Sequence, residues 1–377
     1  MKRKFFIVTT ISRSLGFFRG QIKKLSEDFD LCMISSEKEG LEKFGVEECV
    51  RTHYIKMSRP ISLFTDIVSL FKFLFFFIKE RPYIVHGNTP KASFLSILAA
   101  WLTRRPIRIY MCHGLRYQGT SGMMRKLLML MEKITCKCAT HVLCVSHGVQ
   151  QTFEDDGICK SDKMQVIKYG SVRGINTKLF SRENIKIDIR KDLGIRKDDF
   201  VFTFIGRIVK DKGINELVSA FSRLSKEKNN IHLIIVGGEE DGLNAISDYT
   251  RETININSKI YAVGRQSDVR PFLCASNAFV LPSYREGFGI VLIEAASMGI
   301  PSITTDIIGC NEIIEDGVNG SLIPPRDEKA LYEIMKKWIE NPEIIQKLSR
   351  VCRKRMIERY EQKDVWEAYR KFYISLK

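Results

Sequence analysis

Short, uninterrupted apolar runs alternate with longer amphipathic ones along the whole chain. In the first half the short runs are KFFIVTT, DLCMISS, YIVHG, IRIYMCHG and HVLCVS. In the second they are FVFTFIG, IHLIIVGG, KIYAVG, AFVLPS and IPSITTD. Val-, Ile- and Phe-rich runs of this length predict strands covered on both faces, and the stretches between them predict crossover helices. The expected fold is α/β, with two series of parallel strands forming two Rossmann-like domains. The polar stretch SRENIKIDIRKDLGIRKDD (181–199) is the expected link, dividing the chain into 1–180 and 181–360.

Open parallel sheets bind ligands outside the carboxyl ends of their strands. Arg13 and Gly16 follow the first strand, and His113-Gly114, Gly206-Arg207, Gly237-Gly238 and Glu286 also fall at such ends. Sites on two domains facing one another would make an interdomain cleft. No internal repeat or low-complexity tract breaks the pattern.

One helix is unusual. SYREGFGIVLIEAASMG (283–299) enters through Gly287-Phe288-Gly289, is apolar nearly all round, and stops at Gly299. Such a helix is buried, yet it carries Glu294, and a buried carboxylate must be paired or hydrogen-bonded. Either a structural partner or the adjacent hydroxyls of a ribose would satisfy it. Glu286, eight positions earlier, stands at the turn where it could hydrogen-bond substrate hydroxyls. The amides of the Gly-Phe-Gly turn open the helix as a potential anion site.

FTFIGRIVKDKGINEL (202–217) sets Gly206-Arg207 at a strand end and Lys212-Gly213 before a helix. The two cations are either solvated loop charges or ligands of a diphosphate, Arg as a planar fork and Lys as a point charge. Glu286-Gly-Phe-Gly downstream favours the diphosphate.

Charge adds an asymmetry. The net charge is +16, and residues 1–180 hold 29 basic and 15 acidic side chains. Within 51–150 the count is 15 basic to 3 acidic, which implies an acidic partner for that half. At 377 residues, 28% charged and 44% hydrophobic, the composition is that of an ordinary globular chain long enough for two domains. Ten scattered cysteines without a CxxC pair argue for free thiols in a reducing cytoplasm, and the CxC of Cys136 and Cys138 reads as small buried residues. Met1-Lys-Arg-Lys runs into a strand too brief for a secretory segment, and IVSLFKFLFFFI (67–78) is interrupted by Lys72 and too short to span a bilayer. No membrane crossing is expected. Asp28-Phe29-Asp30, the single DxD, sits where a helix should meet a strand and reads as a turn.

Glu286 and Glu294 form an E-x7-E element whose surroundings closely resemble the retaining GT-B glycosyltransferases of the GT4 family. FIGRIVKDKG, VGG, VGRQSDVRPFLCASNAFVLPSYREGFGIVLIEAASMGIPSITTD and GCNEIIEDGVNGSLIPP look like family segments in order. The first half more narrowly resembles bacterial capsule and O-antigen transferases that extend lipid-diphosphate-linked sugars, through SLGFFRGQ, HGNTPKAS, YMCHGLRYQG and YGSVRGINTKLF. In the last segment Arg173 stands where the family usually carries Asn.

The resemblance implies a set of roles. Arg207 and Lys212, beside Gly206, would hold the donor diphosphate, and Glu294 the ribose. Glu286, Gly287 and the amides of Phe288 and Gly289 would contact donor sugar and phosphate. His113, by itself more often a core histidine, would sit across the cleft near the transferred sugar, and Arg13 and Gly16 would border the diphosphate or acceptor. The final helix, about 361–377, would cross back to the first domain. The implied donor is a nucleotide sugar, UDP-linked rather than GDP-linked. The implied acceptor is a polyprenyl-diphosphate-linked sugar, extended by a hexose or N-acetylhexosamine. Cations and a helix N-terminus would stabilise the leaving nucleoside diphosphate without a metal or other cofactor.

Segment 62–80, SLFTDIVSLFKFLFFFIKE, and RKLLMLMEK (125–133) bear on location. Either the first simply packs on its own sheet, or part of its Phe-rich face lies on an anionic membrane surface, the inner leaflet of a cell membrane. Two rival functions are a soluble GT-B enzyme, such as a sugar-nucleotide epimerase or glucan synthase, and a nucleic-acid-binding protein. No recognisable nucleic-acid module or stacking platform accompanies the basic half, so no nucleic-acid partner is expected.

Overall fold

The computed structural model describes residues 2–376 other than Arg59 and Leu243. The chain divides into two compact units, Met1–Gly174 with Lys363–Lys377, and Ile175–Gln362. The division therefore falls ahead of the polar stretch 181–199, which belongs to the second unit. Two arginines account for this. Arg182 donates to the carbonyls of Met298 and Ser276, each at 3.1 Å, and Arg190 to Ala275 O at 2.8 Å and Asn277 Oδ1 at 2.6 Å. What composition marks as a linker is held down by charge-assisted bonds to the body behind it.

The first unit is built on a parallel sheet. Its strands are β1 (Arg3–Val8), β2 (Phe29–Ser35), β3 (Arg51–Tyr54), β4 (Ile84–Gly87), β5 (Ile107–Cys112), β6 (His141–Cys144) and β7 (Met164–Gln165). Their order is β3-β2-β1-β4-β5-β6-β7. Strands β3 and β7 lie outside the apolar pattern because they are edges. One flank of an edge strand needs no partner, so the polar sequence Arg-Thr-His-Tyr can serve. At the centre, Phe5 to Val8 are fully buried, with helices on both faces.

The last helix, Gln362–Ser375, completes this unit. Tyr373 sets its ring 5.0 Å from Phe5 and 5.7 Å from His86, and Tyr369 donates its hydroxyl to Ser171 O at 3.1 Å. Arg370 Nε reaches Asp28 Oδ2 at 2.7 Å. Asp28 ends helix Gln21–Asp28 immediately before β2, so this DxD carboxylate is engaged in anchoring the helix.

The second unit repeats the architecture with β8 (Phe200–Ile205), β9 (Ile231–Val236), β10 (Ile260–Ala262), β11 (Ala278–Leu281), β12 (Ser302–Thr305) and β13 (Gly320–Ile323). The order is β10-β9-β8-β11-β12-β13. Strand β13, Gly-Ser-Leu-Ile, is another edge that its short sequence hides. Strand order reverses between β1 and β4 in one sheet and between β8 and β11 in the other. Such switch points open a crevice outside the strand carboxyl ends, where ligands of open α/β sheets bind.

Helix Leu63–Glu80 buries only the stripe Ser69, Phe73 and Phe77. Phe76 and Phe77 meet Phe6, and Ser69 Oγ donates to Lys56 O at 2.6 Å. Burying each phenyl contributes about 1.5–3 kcal/mol. The opposite face is open, with Phe64 79% and Phe75 71% exposed. Packing on the sheet therefore accounts for one side of this helix and leaves the other without a cover. Among the described residues no helix is long and apolar enough to cross a membrane.

Candidate active site

In the second unit the loops after β8 and β11 meet at the switch point. Gly206 and Arg207 leave β8, and Lys212 closes a turn of 3-10 helix, Lys210–Lys212, before helix Ile214–Glu227. Gly213 joins them with a positive φ of 71°. A side chain there would put its Cβ 2.0 Å from Pro282 O, so glycine lets the β8 loop lie directly on the β11 loop. Two further contacts hold the loops together. Arg285 donates to Asp211 Oδ2 at 2.8 Å, and Tyr284 N to Asp211 O at 2.9 Å.

That apposition brings Lys212 and Glu286 into a largely buried ion pair. Ser283 Oγ also donates to Glu286 Oε1, at 2.9 Å, while Ser283 O accepts from Thr305 Oγ1 at 2.5 Å. Glu286 is thus held from two sides. Arg207 is more exposed and pairs with Glu240 at 2.8 Å, with Arg265 3.8 Å from the same carboxylate. Each cation in the crevice has a carboxylate counter-ion from its own unit. An arriving polyanion can exchange with those carboxylates at little Coulombic cost, because the guanidinium and ammonium are already oriented.

The Gly-Phe-Gly turn differs from expectation in one respect. Helix Ile290–Ser297 starts where predicted, and Glu294 is buried within it. The Gly289 amide, however, is bonded to Gly309 O at 3.0 Å, so it is not available to a donor phosphate. Gly309 packs so closely that a Cβ on it would lie 2.6 Å from Gly287 O. Sequence spacing could not foresee that a loop 20 residues downstream fills this position. Phe288 is 9% exposed, its ring edge-on to Tyr360 at 5.7 Å.

In the first unit His113 leaves β5 and stacks on Phe17 at 4.7 Å with an interplanar angle of 18°. Phe17 belongs to the 3-10 segment Ser12–Phe18 after β1, which also carries Arg13 and Gly16. The structure therefore gathers three of the sequence-selected residues around one loop. Arg13 is exposed, and a Cβ at Gly16 would meet nothing within 4 Å. His113 Nε2 has no hydrogen-bond partner, and burial pushes the imidazole down to about 4, so it is neutral at pH 7. His86, at the end of β4, is deeper. Burial, with the nearby His113, pushes it down to about 3, and Asn88 Nδ2 lies 2.9 Å from its Nδ1.

Both histidines have folded-state pKa values below the ordinary 6.5, so the unfolded chain binds more protons between those values. Stability should fall as pH drops below about 6.5, with a slope of about 1.4 kcal/mol per pH unit for each group, until the folded values are reached. Urea midpoints measured from pH 7 to pH 4 should decline, and His113→Phe should flatten that decline. An unchanged slope in the variant would mean that His113 is not the group being protonated.

Sequence reasoning missed Glu240, Ser283, Asp211 and Phe17 as partners. Ser283 lay inside the segment singled out, and Glu240 carried a faint signal as an acidic residue after Gly237-Gly238. Asp211 and Phe17 also lay inside quoted segments, but their roles come from which loops meet. Among the described residues no group of three or more His, Cys, Asp or Glu could hold a metal ion.

The comparisons fit this architecture. Residues 22–170 match the model described as Glycosyltransferase Family 4, and residues 185–359 the one described as Glycosyl transferases group 1. The capsular polysaccharide biosynthesis glycosyltransferase CapM of Staphylococcus aureus is 34% identical over 372 residues, covering 98% of this chain and 97% of that protein. The chain belongs to glycosyltransferase family 4. A second relative of this glycosyltransferase is the UDP-Gal:alpha-D-GlcNAc-diphosphoundecaprenol alpha-1,3-galactosyltransferase of Escherichia coli, 26% identical over 93% of the chain and 90% of the relative. Anabaena HepE, solved in complex with UDP, superposes with a TM-score of 0.80 at 18% identity, covering 100% of both chains. At that identity the likeness speaks to fold, and the fold is GT-B, as the sequence led us to expect.

Proposed function

We propose that this glycosyltransferase moves a hexose or N-acetylhexosamine from a UDP-linked donor to a polyprenyl-diphosphate-linked sugar, in the synthesis of a surface polysaccharide. The observation that carries the reading is the crevice of the second unit, where Lys212 stands oriented beside Glu286, and Arg207 beside Glu240, over a glycine-framed turn. The acceptor class is supported by the Escherichia coli relative, whose name pairs a UDP sugar with a diphosphoundecaprenol sugar and which matches along nearly the whole chain.

Transfer would proceed with retention. The anomeric C–O bond to the diphosphate breaks, the acceptor oxygen bonds to the same face, and the acceptor proton passes to the departing phosphate. Lys212 and Arg207 would take up the charge growing on the leaving group, without a metal. Glu286 would bind donor hydroxyls, Glu294 the ribose and neutral His113 the transferred sugar, with Arg13 and Gly16 toward the acceptor. The test is nucleotide release and label transfer into the organic phase. It uses a panel of UDP- and GDP-sugars, a lipid extract holding polyprenyl-diphosphate sugars, EDTA, and Glu286→Ala as control. Lipid-phase label from one donor, lost in the control, is expected. Release without lipid label would overturn the acceptor class, and no release from any donor would favour an epimerase.

The acceptor's lipid puts the reaction at the inner face of a cell membrane, where the enzyme would sit peripherally. Helices Leu63–Glu80, Pro90–Leu102 and Gly122–Cys138 pack side by side on one sheet face, the middle one between the others. Their outer surface exposes Phe64, Phe75, Trp101 and Met123 beside Lys72 and Lys126. Bulky apolar groups among cations suit an anionic bilayer surface. Vesicles of anionic lipid should sediment the protein at low salt, and the double variant Phe71→Ser/Phe75→Ser should weaken that binding about tenfold. Equal binding by the variant, or none by the native chain, would remove this surface from the account.

A further inference from the structure

Two thiols meet at the edge of the first unit's sheet, away from the carboxyl ends that form the crevice. Cys136 lies in the last turn of helix Gly122–Cys138, and Cys159 on the segment that follows helix His147–Asp155. All ten cysteines are free. Cys136 is buried and Cys159 half-buried, and the two side chains lie near enough to shift each other's proton affinity.

Both cysteines line a cavity of about 750 Å³ beside β6 and β7, together with Lys133, Lys137, Lys160 and Lys163. A second hollow of about 540 Å³ is also lined by Ile158, Cys159 and Lys160. Cys159 is therefore reached from two openings. Lys163 is anchored at the site, its Nζ donating to Cys136 O at 2.6 Å and to Lys137 O at 3.2 Å.

We propose that Cys159 is a peroxide-reactive cysteine, with Cys136 as its resolving thiol, and that the pair closes to a reversible disulfide. The thiolate of Cys159 attacks a hydroperoxide oxygen. The O–O bond breaks, and with one proton from solvent the products are Cys159 sulfenic acid and water or an alcohol. Cys136 then attacks the Cys159 sulfur. The S–S bond forms, the S–O bond breaks, and the hydroxide leaves as water with the Cys136 proton. Two thiols and one peroxide give one disulfide and two small hydroxylic products.

Two features separate this pair from the other thiols. The adjoining Cys136 side chain, and then the charge of Lys163, outweigh burial and pull the Cys159 thiol below its ordinary range. Burial above all pushes Cys32, Cys144, Cys310 and Cys352 up to about 12, which leaves them inert. Cys49, by contrast, is exposed, its sulfur donating to Val46 O at 3.7 Å.

The test treats the full-length chain with limiting hydrogen peroxide at pH 7, followed by non-reducing peptide mapping. A linked pair of peptides holding Cys136 and Cys159 is expected, reversed by dithiothreitol. Cys159 should react about threefold to tenfold faster than Cys49, although Cys49 is the more exposed. In Cys136→Ser the resolving thiol is gone, so Cys159 should accumulate as a sulfenic acid that dimedone captures, with no link. In Cys159→Ser, Cys136 should stay unmodified. Oxidation of Cys49 ahead of Cys159, or a link formed only in denaturant, would overturn the proposal. The native map decides it even if a serine variant fails to fold. None of these outcomes depends on which sugar or acceptor the enzyme uses.

Discussion

Lys212→Ala is expected to lower kcat/KM for sugar transfer about 10³-fold, the scale on which a preorganised group facing growing charge contributes to catalysis. The nucleoside diphosphate leaves with more negative charge than it carried as an ester, and an ammonium held beside it by Glu286 needs no reorganisation. A structural reading of the same ion pair predicts something different. A largely buried pair broken on one side strands the other charge, whereas removing both partners together can be nearly neutral. The double variant Lys212→Ala/Glu286→Ala separates the two. If the pair is only structural and neither residue meets the donor, the urea midpoint and the activity should both recover toward native. If Lys212 and Glu286 serve the donor, the midpoint recovers while kcat/KM stays low. Recovery of activity in the double variant would end the proposed roles of both residues.

Gly213→Ala should destabilise the second unit by about 2–4 kcal/mol and depress transfer with it. Two costs combine at this position. The residue sits at φ 71°, where a side chain is strained, and its Cβ would stand 2.0 Å from Pro282 O. Relief requires the β8 loop to part from the β11 loop, and that separation pulls Lys212 away from Glu286. A urea melt of the variant measures the first effect and nucleotide release the second. Loss of stability with activity intact would mean that the Lys212–Glu286 contact does not depend on this close approach. Gly299→Ala is a useful contrast. Its φ is also positive, at 72°, but the nearest atom to an added Cβ is 3.8 Å away, so the cost should be strain alone.

The Gly289 amide shows how a sequence reading can select the right turn and misassign one of its groups. The glycines and the helix start were legible from spacing. The carbonyl of Gly309 that occupies the amide comes from a loop whose own sequence says nothing about where it folds. The segment 181–199 misled in the same way. Its polar composition resembles a linker, yet Arg182 and Arg190 bind carbonyls across the second unit.

By itself the sequence determined what repeats locally. The alternation of apolar runs and helical stretches yields two parallel α/β sheets, because strands buried on both faces must be apolar throughout. It also placed Arg207 and Glu286 at strand carboxyl ends, since the chain leaves each strand there, and Lys212 on the loop that leads into the next helix. The edge strands β3, β7 and β13 escaped it, unlike the edge β10, because an edge is stabilised by its single neighbour and need not carry an apolar pattern of its own. Tertiary structure alone decided that Lys212 pairs with Glu286, 74 positions away, that Phe17 stacks on His113, and that Cys136 meets Cys159. Those contacts join residues far apart in the chain, and their energy exists only once the sheets have brought the loops together.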